Sequence, residues 1–275
     1  MSYATFLVHL DLDQTNEARL KIVADLAQRF DASVIGVAAC AQTMPLYFTD
    51  GMVAEELVVQ DRSDLEQRLR ETEQQFRAGL AGRVNQIEWR SALTQPTSFV
   101  AEQSRAADLV VIGGRASGDP IDSLRQLIPS DVVTFVGRPV LVVPQNVETL
   151  AAKRVLIAWK DAREARRAVF DALPLLLKCE KAIVAEIDES GEPDAARARV
   201  EDVAAWLGRH GVTASCLVQN AIAKTSDELN ALARQEEADL IVAGAYGHSR
   251  VREWILGGVT RDLLTRTPRC ALLSH

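Results

Sequence analysis

The feature that most constrains this chain is that it repeats itself. Ala107-Asp108-Leu109-Val110-Val111-Ile112-Gly113 returns as Ala238-Asp239-Leu240-Ile241-Val242-Ala243-Gly244. Downstream, each copy has a proline and a short apolar run. These are Arg138-Pro139-Val140-Leu141-Val142-Val143 and Thr267-Pro268-Arg269-Cys270-Ala271-Leu272-Leu273. The halves also open alike. Phe6 to Leu10 and Val155 to Trp159 are apolar runs, followed by the polar stretches 11–17 and 160–164. A repeat of this length is one folding unit used twice, so a fold assigned to one half must suit the other.

Within a unit the spacing alternates between strand and helix. Ile22, Val23, Leu26, Ala27 and Phe30 share one helical face, as do Ala165, Val169, Ala172, Leu173 and Leu176. Pro174 falls inside the second pattern and is expected to bend or tighten that helix. Second strands are expected over 33–38 and 182–187, and long helices over 62–80 and 194–209. Third strands follow over 87–92 and 213–219. Helices over 96–105 and 226–237 then lead into the matched fourth strands. Gly208 and Gly211 mark the end of the 194–209 helix. This alternation argues for parallel sheets covered on both faces. The expected fold is α/β, with two tandem five-stranded parallel-sheet sandwich domains over 1–146 and 152–275. A short polar linker near 145–153 joins them. Extra residues over 42–59, including Pro45, Tyr47, Phe48 and Met52, read as a surface loop or helix extension, with a lid over a site as the alternative.

Composition excludes several classes. A chain of 275 residues with 48% hydrophobic and 25% charged residues buries a core without disulfides. The 31 Lys and Arg against 38 Asp and Glu leave a net charge of −7, a poor basis for nucleic-acid binding. Apolar runs such as 109–112 and 140–143 fall far short of the ~18 residues of a membrane span. The start of the sequence lacks a basic, then apolar, leader pattern, so a cytoplasmic location is expected. Cys40, Cys179, Cys216 and Cys270 form no CxxC pair and read as small, semi-buried residues in a reducing compartment. His9, His210, His248 and His275 show no zinc spacing, and no metal is expected. His9 reads as a buried or paired histidine. Arg163, Arg166 and Arg167 read as a solvated helix face with ion pairs, and Trp159 and Trp206 as core.

The chemistry-bearing stretch is Gly244-Ala245-Tyr246-Gly247-His248-Ser249-Arg250, continued by Gly257-Gly258-Val259-Thr260. Gly244 ends a buried parallel strand, and open α/β sheets bind ligands beyond such carboxyl ends. Glycines there allow close approach to a ligand. Gly257 and Gly258 precede a helix over 259–264 whose free N–H groups suit a phosphate. Thr260 offers a hydroxyl; His248 and Arg250 add positive potential. Tyr246 either covers a ligand or caps the sheet edge. Neither half has GxGxxG after its first strand, and the chain has no P-loop and no GxSxG elbow.

The spacing Gly244-x2-Gly247-x9-Gly257, with the ADLIVAGAYGHSR and GGVTRDLL stretches, resembles the universal stress protein family, and the likeness extends over both halves. The resemblance implies that family's five-stranded α/β fold and ATP or a related adenine nucleotide in the second half. The implied nucleotide-binding residues are Lys160, Ile187, Gly244, Gly247, His248, Arg250, Gly257, Gly258, Val259 and Thr260. It also implies pairing through the last strands, which in a tandem chain makes an internal pseudo-dimer, with a further homodimer as an extension. The sequence departs from the family pattern at Gly258, where nucleotide binders carry Ser or Thr. It departs again at Lys160, where they carry Asp; this lysine either pairs with a phosphate or is an exposed strand-end residue. The first half keeps Asp11 but has Pro129-Ser130-Asp131 in place of the glycines, and reads as a degenerate, nucleotide-free copy. No catalytic residue is assigned, and ATP hydrolysis is expected to be slow at most. The expected role is stress response or signalling through conformational change or an unknown protein partner. The alternative is a nucleotide-free interaction or scaffold module of the same fold.

Overall fold

The computed structural model describes residues 2–42, 51–114, 122–246 and 258–275, the side chains of 51–54 excepted. The first half runs β1 (Thr5–His9), α1 (Glu17–Phe30), β2 (Ser33–Ala39), α2 (Gly51–Leu80), β3 (Ile87–Ala92), α3 (Pro96–Gln103), β4 (Leu109–Gly113), α4 (Pro129–Phe135) and β5 (Val140–Val143). The second half repeats the plan. It runs β6 (Arg154–Ala158), α5 (Arg163–Leu176), β7 (Lys181–Asp188), α6 (Pro193–Arg209), β8 (Ala214–Asn220), α7 (Thr225–Gln235), β9 (Leu240–Gly244), α8 (Val259–Thr265) and β10 (Cys270–Ser274).

The strands form one sheet in the order β3-β2-β1-β4-β5-β10-β9-β6-β7-β8. Read inward from either edge, the two halves have the same order. Neighbours are parallel except at the centre, where β5 and β10 run antiparallel with Val140 opposite Leu273, Leu141 opposite Leu272 and Val142 opposite Ala271. The expected internal pairing through the last strands is therefore present. Both strands are fully buried, so this seam lies inside the core.

Side chains alternate between two apolar layers, as the period of a strand requires. Phe6, Val8, Leu109, Val111, Ile157 and Val242 face one layer with residues of α1, α2, α5 and α6. Leu7, Val110, Ile112, Leu156 and Ile241 face the other with residues of α3, α4, α7 and α8. The edge strand β3 carries charge, with Arg90 and Glu88 in a 2.8 Å ion pair, which discourages edge-to-edge association.

Three readings need correction. The long helix starts at Gly51, not near residue 62, so 51–59 is a helix extension; 43–50 lie outside the described residues. No glycine or proline interrupts 52–78, and i,i+4 contacts such as Arg62–Glu66 at 2.9 Å support its exposed face. The linker is not simply polar. Leu150 and Ala152 are buried, the Arg29 guanidinium donates to the Leu150 carbonyl at 3.1 Å, and Lys21 pairs with Glu148 at 2.9 Å. Trp206 is half-buried, whereas Trp159 is core as expected. Pro174 sits in the last turn of α5, which closes with i→i−3 bonds from Lys178 and Cys179. All four cysteines are free and buried or half-buried.

Candidate functional site

Three strand ends converge in the second half. β6 pairs with β7 on one side and with β9 on the other, so the chain moves in opposite directions from β6. That switch point opens a crevice beyond the carboxyl ends. The backbone N–H of Trp159 donates to the Ala185 carbonyl at 2.7 Å and extends the pairing past Ala158. A cleft of about 880 Å³ lies there, bounded by the strand ends and the starts of α5, α7 and α8. Lys160, Ile187, Gly244, Gly258, Val259 and Thr260 all line it. Six of the expected residues are thus brought together, while Gly247, His248, Arg250 and Gly257 lie outside the described residues.

Two of the six have other employment. A Cβ on Gly244 would sit 2.4 Å from the Ala165 amide nitrogen, so this glycine is required by the start of α5. The Thr260 hydroxyl is buried and accepts a 3.4 Å hydrogen bond from the Tyr246 backbone N–H. Tyr246 has φ of 57° and its ring meets that of His275 edge-on at 6.4 Å, so it caps the sheet end.

The cleft is rich in charge that sequence reading missed. Arg199 from α6 donates to Glu186 of β7 at 2.5 and 3.1 Å. Lys224 pairs with the buried Asp262 carboxylate, which also accepts from Ser226 at 2.5 Å. Burial pushes the Asp262 carboxyl up, but the contacts from Lys224 and Ser226 outweigh it and leave the pKa lowered. Lys160 is exposed and reaches Glu189 at 3.5 Å. Each cation lining the cleft is therefore already paired with a carboxylate. Glu164 is buried, and its pKa is lowered because Arg163 and the backbone outweigh desolvation.

Asp188 is the exception among the carboxylates. It ends β7 and is 4% exposed. Its Oδ1 accepts from the Ser190 hydroxyl at 2.6 Å and from the Ser190 N–H at 2.8 Å, which lowers its pKa and keeps it ionised. Its Oδ2 is buried with no partner among the described residues. An ionised acceptor buried without a donor is costly, and a ligand donor would satisfy it. Its place at the end of the second strand of this half was the available signal. The Glu186–Arg199 pair had none, since it joins separate elements.

The cleft's described lining contains no histidine or cysteine, and Ser226 is buried in its bond to Asp262. Two hydroxyl–carboxylate contacts line the space, Thr225 to Glu189 and Ser190 to Asp188, both at 2.6 Å, and no group of metal-binding side chains forms among the described residues. The geometry suits binding.

In the first half a different side chain stands at the equivalent strand end. A Cβ on Gly113 would lie 2.3 Å from Nη2 of Arg19, a buried residue of α1. That guanidinium bonds the Asp11 carboxylate at 2.7 Å and the His9 carbonyl. Where the second half has the small Ala165, the first half has a buried cation between strand ends. His9 is buried beside it, as expected, with its pKa lowered by desolvation to about 4.

Against known families, the model described as the universal stress protein family matches residues 151–273. The second half of the chain is thus similar to that family. Solved structures extend the likeness of fold to the whole chain. A universal stress protein from Archaeoglobus fulgidus DSM 4304 shares 17% identity at a TM-score of 0.72, covering 98% of this chain and 95% of that one. A putative universal stress protein from Pseudomonas aeruginosa UCBPP-PA14 shares 19% identity at a TM-score of 0.56, covering 99% and 93%. No curated protein matches the sequence significantly. No helix among the described residues is long and apolar enough to cross a membrane.

Proposed function

We propose that this chain acts as a universal stress protein that binds one adenine nucleotide, ATP or a related adenylate, in its second half and signals through a change of surface or partner. The observation that carries the reading is the cleft of about 880 Å³ at the switch point, on which six expected residues converge. Its volume lies in the range of small-molecule sites. Its residues fit the ligand. The orphan Asp188 Oδ2 suits an amine or hydroxyl donor, and Ile187 supplies apolar surface beside it. Lys160 is held only by an exposed contact with Glu189, worth ~0–1 kcal/mol, and is free to turn to a phosphate. The first half binds no nucleotide in this reading, since Arg19 fills the equivalent place.

The test is to denature protein purified without added nucleotide and identify what it releases by mass spectrometry, then titrate ATP calorimetrically. One adenylate per chain, or a fitted single site weakened about tenfold or more by Asp188→Ala, is the expected result. A saturating ligand at ~100 times its Kd adds ~2.7 kcal/mol of stability. No released nucleotide, no heat and no thermal shift would overturn the proposal. The pairing of each lining cation with a carboxylate favours a second reading, a nucleotide-free scaffold, which that outcome would leave standing.

A further inference from the structure

A second cavity, of about 530 Å³, lies between α5 and α6. Its apolar surface comes from Val169 and Phe170 of α5, Val203 and Trp206 of α6, and Trp159 after β6. Phe170 is 44% exposed, on the same side of α5 as the exposed Arg166 and Arg167. Trp159 is 8% exposed, and its indole Nε1 is buried with no acceptor among the described residues. Three arginines also line the groove. Arg166 is paired with Asp161 at 2.5 Å and Arg199 with Glu186, while Arg209 has no ion-pair partner among the described residues. Asp202 lies two helical turns from Arg209, ~10 Å along the axis, too far to neutralise it and placed to repel a second negative charge.

We propose that this groove is a binding site for a planar aromatic monocarboxylate, adjoining the nucleotide cleft through Trp159, Asp161 and Arg199. Flanking rings favour a flat aromatic guest by stacking and edge contacts. The Arg209 guanidinium, without an ion-pair partner among the described residues, selects an anionic acceptor on that guest. The volume holds one bicyclic ring system. Phe170 and Arg209 line the groove and not the cleft, so the two sites are separable by substitution.

The probe is 2-naphthoate, titrated calorimetrically into the full chain beside neutral 2-naphthamide and non-planar cyclohexanecarboxylate. A Kd on the order of 1 mM or tighter is expected for naphthoate. Each comparison compound should bind about tenfold more weakly. Arg209→Gln should erase the preference for acid over amide, and Phe170→Ser should weaken both, with unchanged circular dichroism and melting as folding controls. No naphthoate binding, or binding that neither substitution alters, would overturn the proposal. No naphthoate binding together with a dimer that Phe170→Ser abolishes would overturn the proposal and assign the groove to a second copy of the chain.

Discussion

A Cβ on Gly244 would lie 2.4 Å from the Ala165 amide nitrogen and 2.6 Å from the Glu164 carbonyl carbon, both backbone atoms that cannot swing aside. Gly244→Ala should therefore lower stability by ~1–3 kcal/mol in urea unfolding without any nucleotide present. An unchanged midpoint would return this glycine to a purely ligand-facing role. His9 makes a prediction in pH. Its folded pKa, about 4, lies below the ordinary histidine value of 6.5 because burial disfavours the imidazolium. The unfolded chain then binds more protons between those values, so the stability His9 contributes is present above pH 6.5 and lost as pH falls toward 4. Relative to His9→Leu, the native chain should lose ~3 kcal/mol across that window. A pH-independent difference between the two would show that His9 titrates normally.

The repeated Ala-Asp-Leu motif has its reason at the level of strands. Asp108, just before β4, accepts from the Ala4 and Thr5 N–H groups at 2.7 and 3.0 Å. Asp239, just before β9, accepts from the Ala152 N–H at 2.8 Å. Each aspartate pins the start of its unit's first strand to the start of the fourth, setting the register of the two central parallel strands. The settings differ: Ala152 is fully buried and Ala4 is exposed. Asp239→Ala leaves a buried N–H unpaired and should cost ~1–3 kcal/mol, with Asp108→Ala costing less because water reaches Ala4. Chemical denaturation of the two variants measures the order, and the reverse order would sink this account.

Across the whole molecule the halves share one sheet and both apolar layers. The β5–β10 seam is reinforced away from the strands. The Tyr3 hydroxyl donates to the Asp171 carbonyl at 2.6 Å, and Lys178 sits 5.1 Å from the centroid of the Phe30 ring. Neither half can leave without exposing Leu141, Val142, Ala271 and Leu272. Calorimetric unfolding should accordingly show one transition with equal calorimetric and van't Hoff enthalpies. Two resolved transitions would mean that the seam is weaker than either half.

The repeat, the strand–helix rhythm and the glycine ending β9 were all legible in the amino-acid order, because each is a local pattern of period, apolar run or turn residue. The family resemblance, rather than that local record, supplied the set Lys160, Ile187, Gly244, Gly258, Val259 and Thr260, which the sheet order brings to one cleft. The local record was silent on charge. Glu186 meets Arg199, Lys224 meets Asp262 and Arg19 fills the first half's strand ends through contacts between separate elements, which no spacing encodes. It also misread the linker, since Leu150 and Ala152 join the buried core. Sequence determined the units and where their strands end. Tertiary structure decided which of those ends stays open, because burial of a charge depends on what the rest of the chain places beside it.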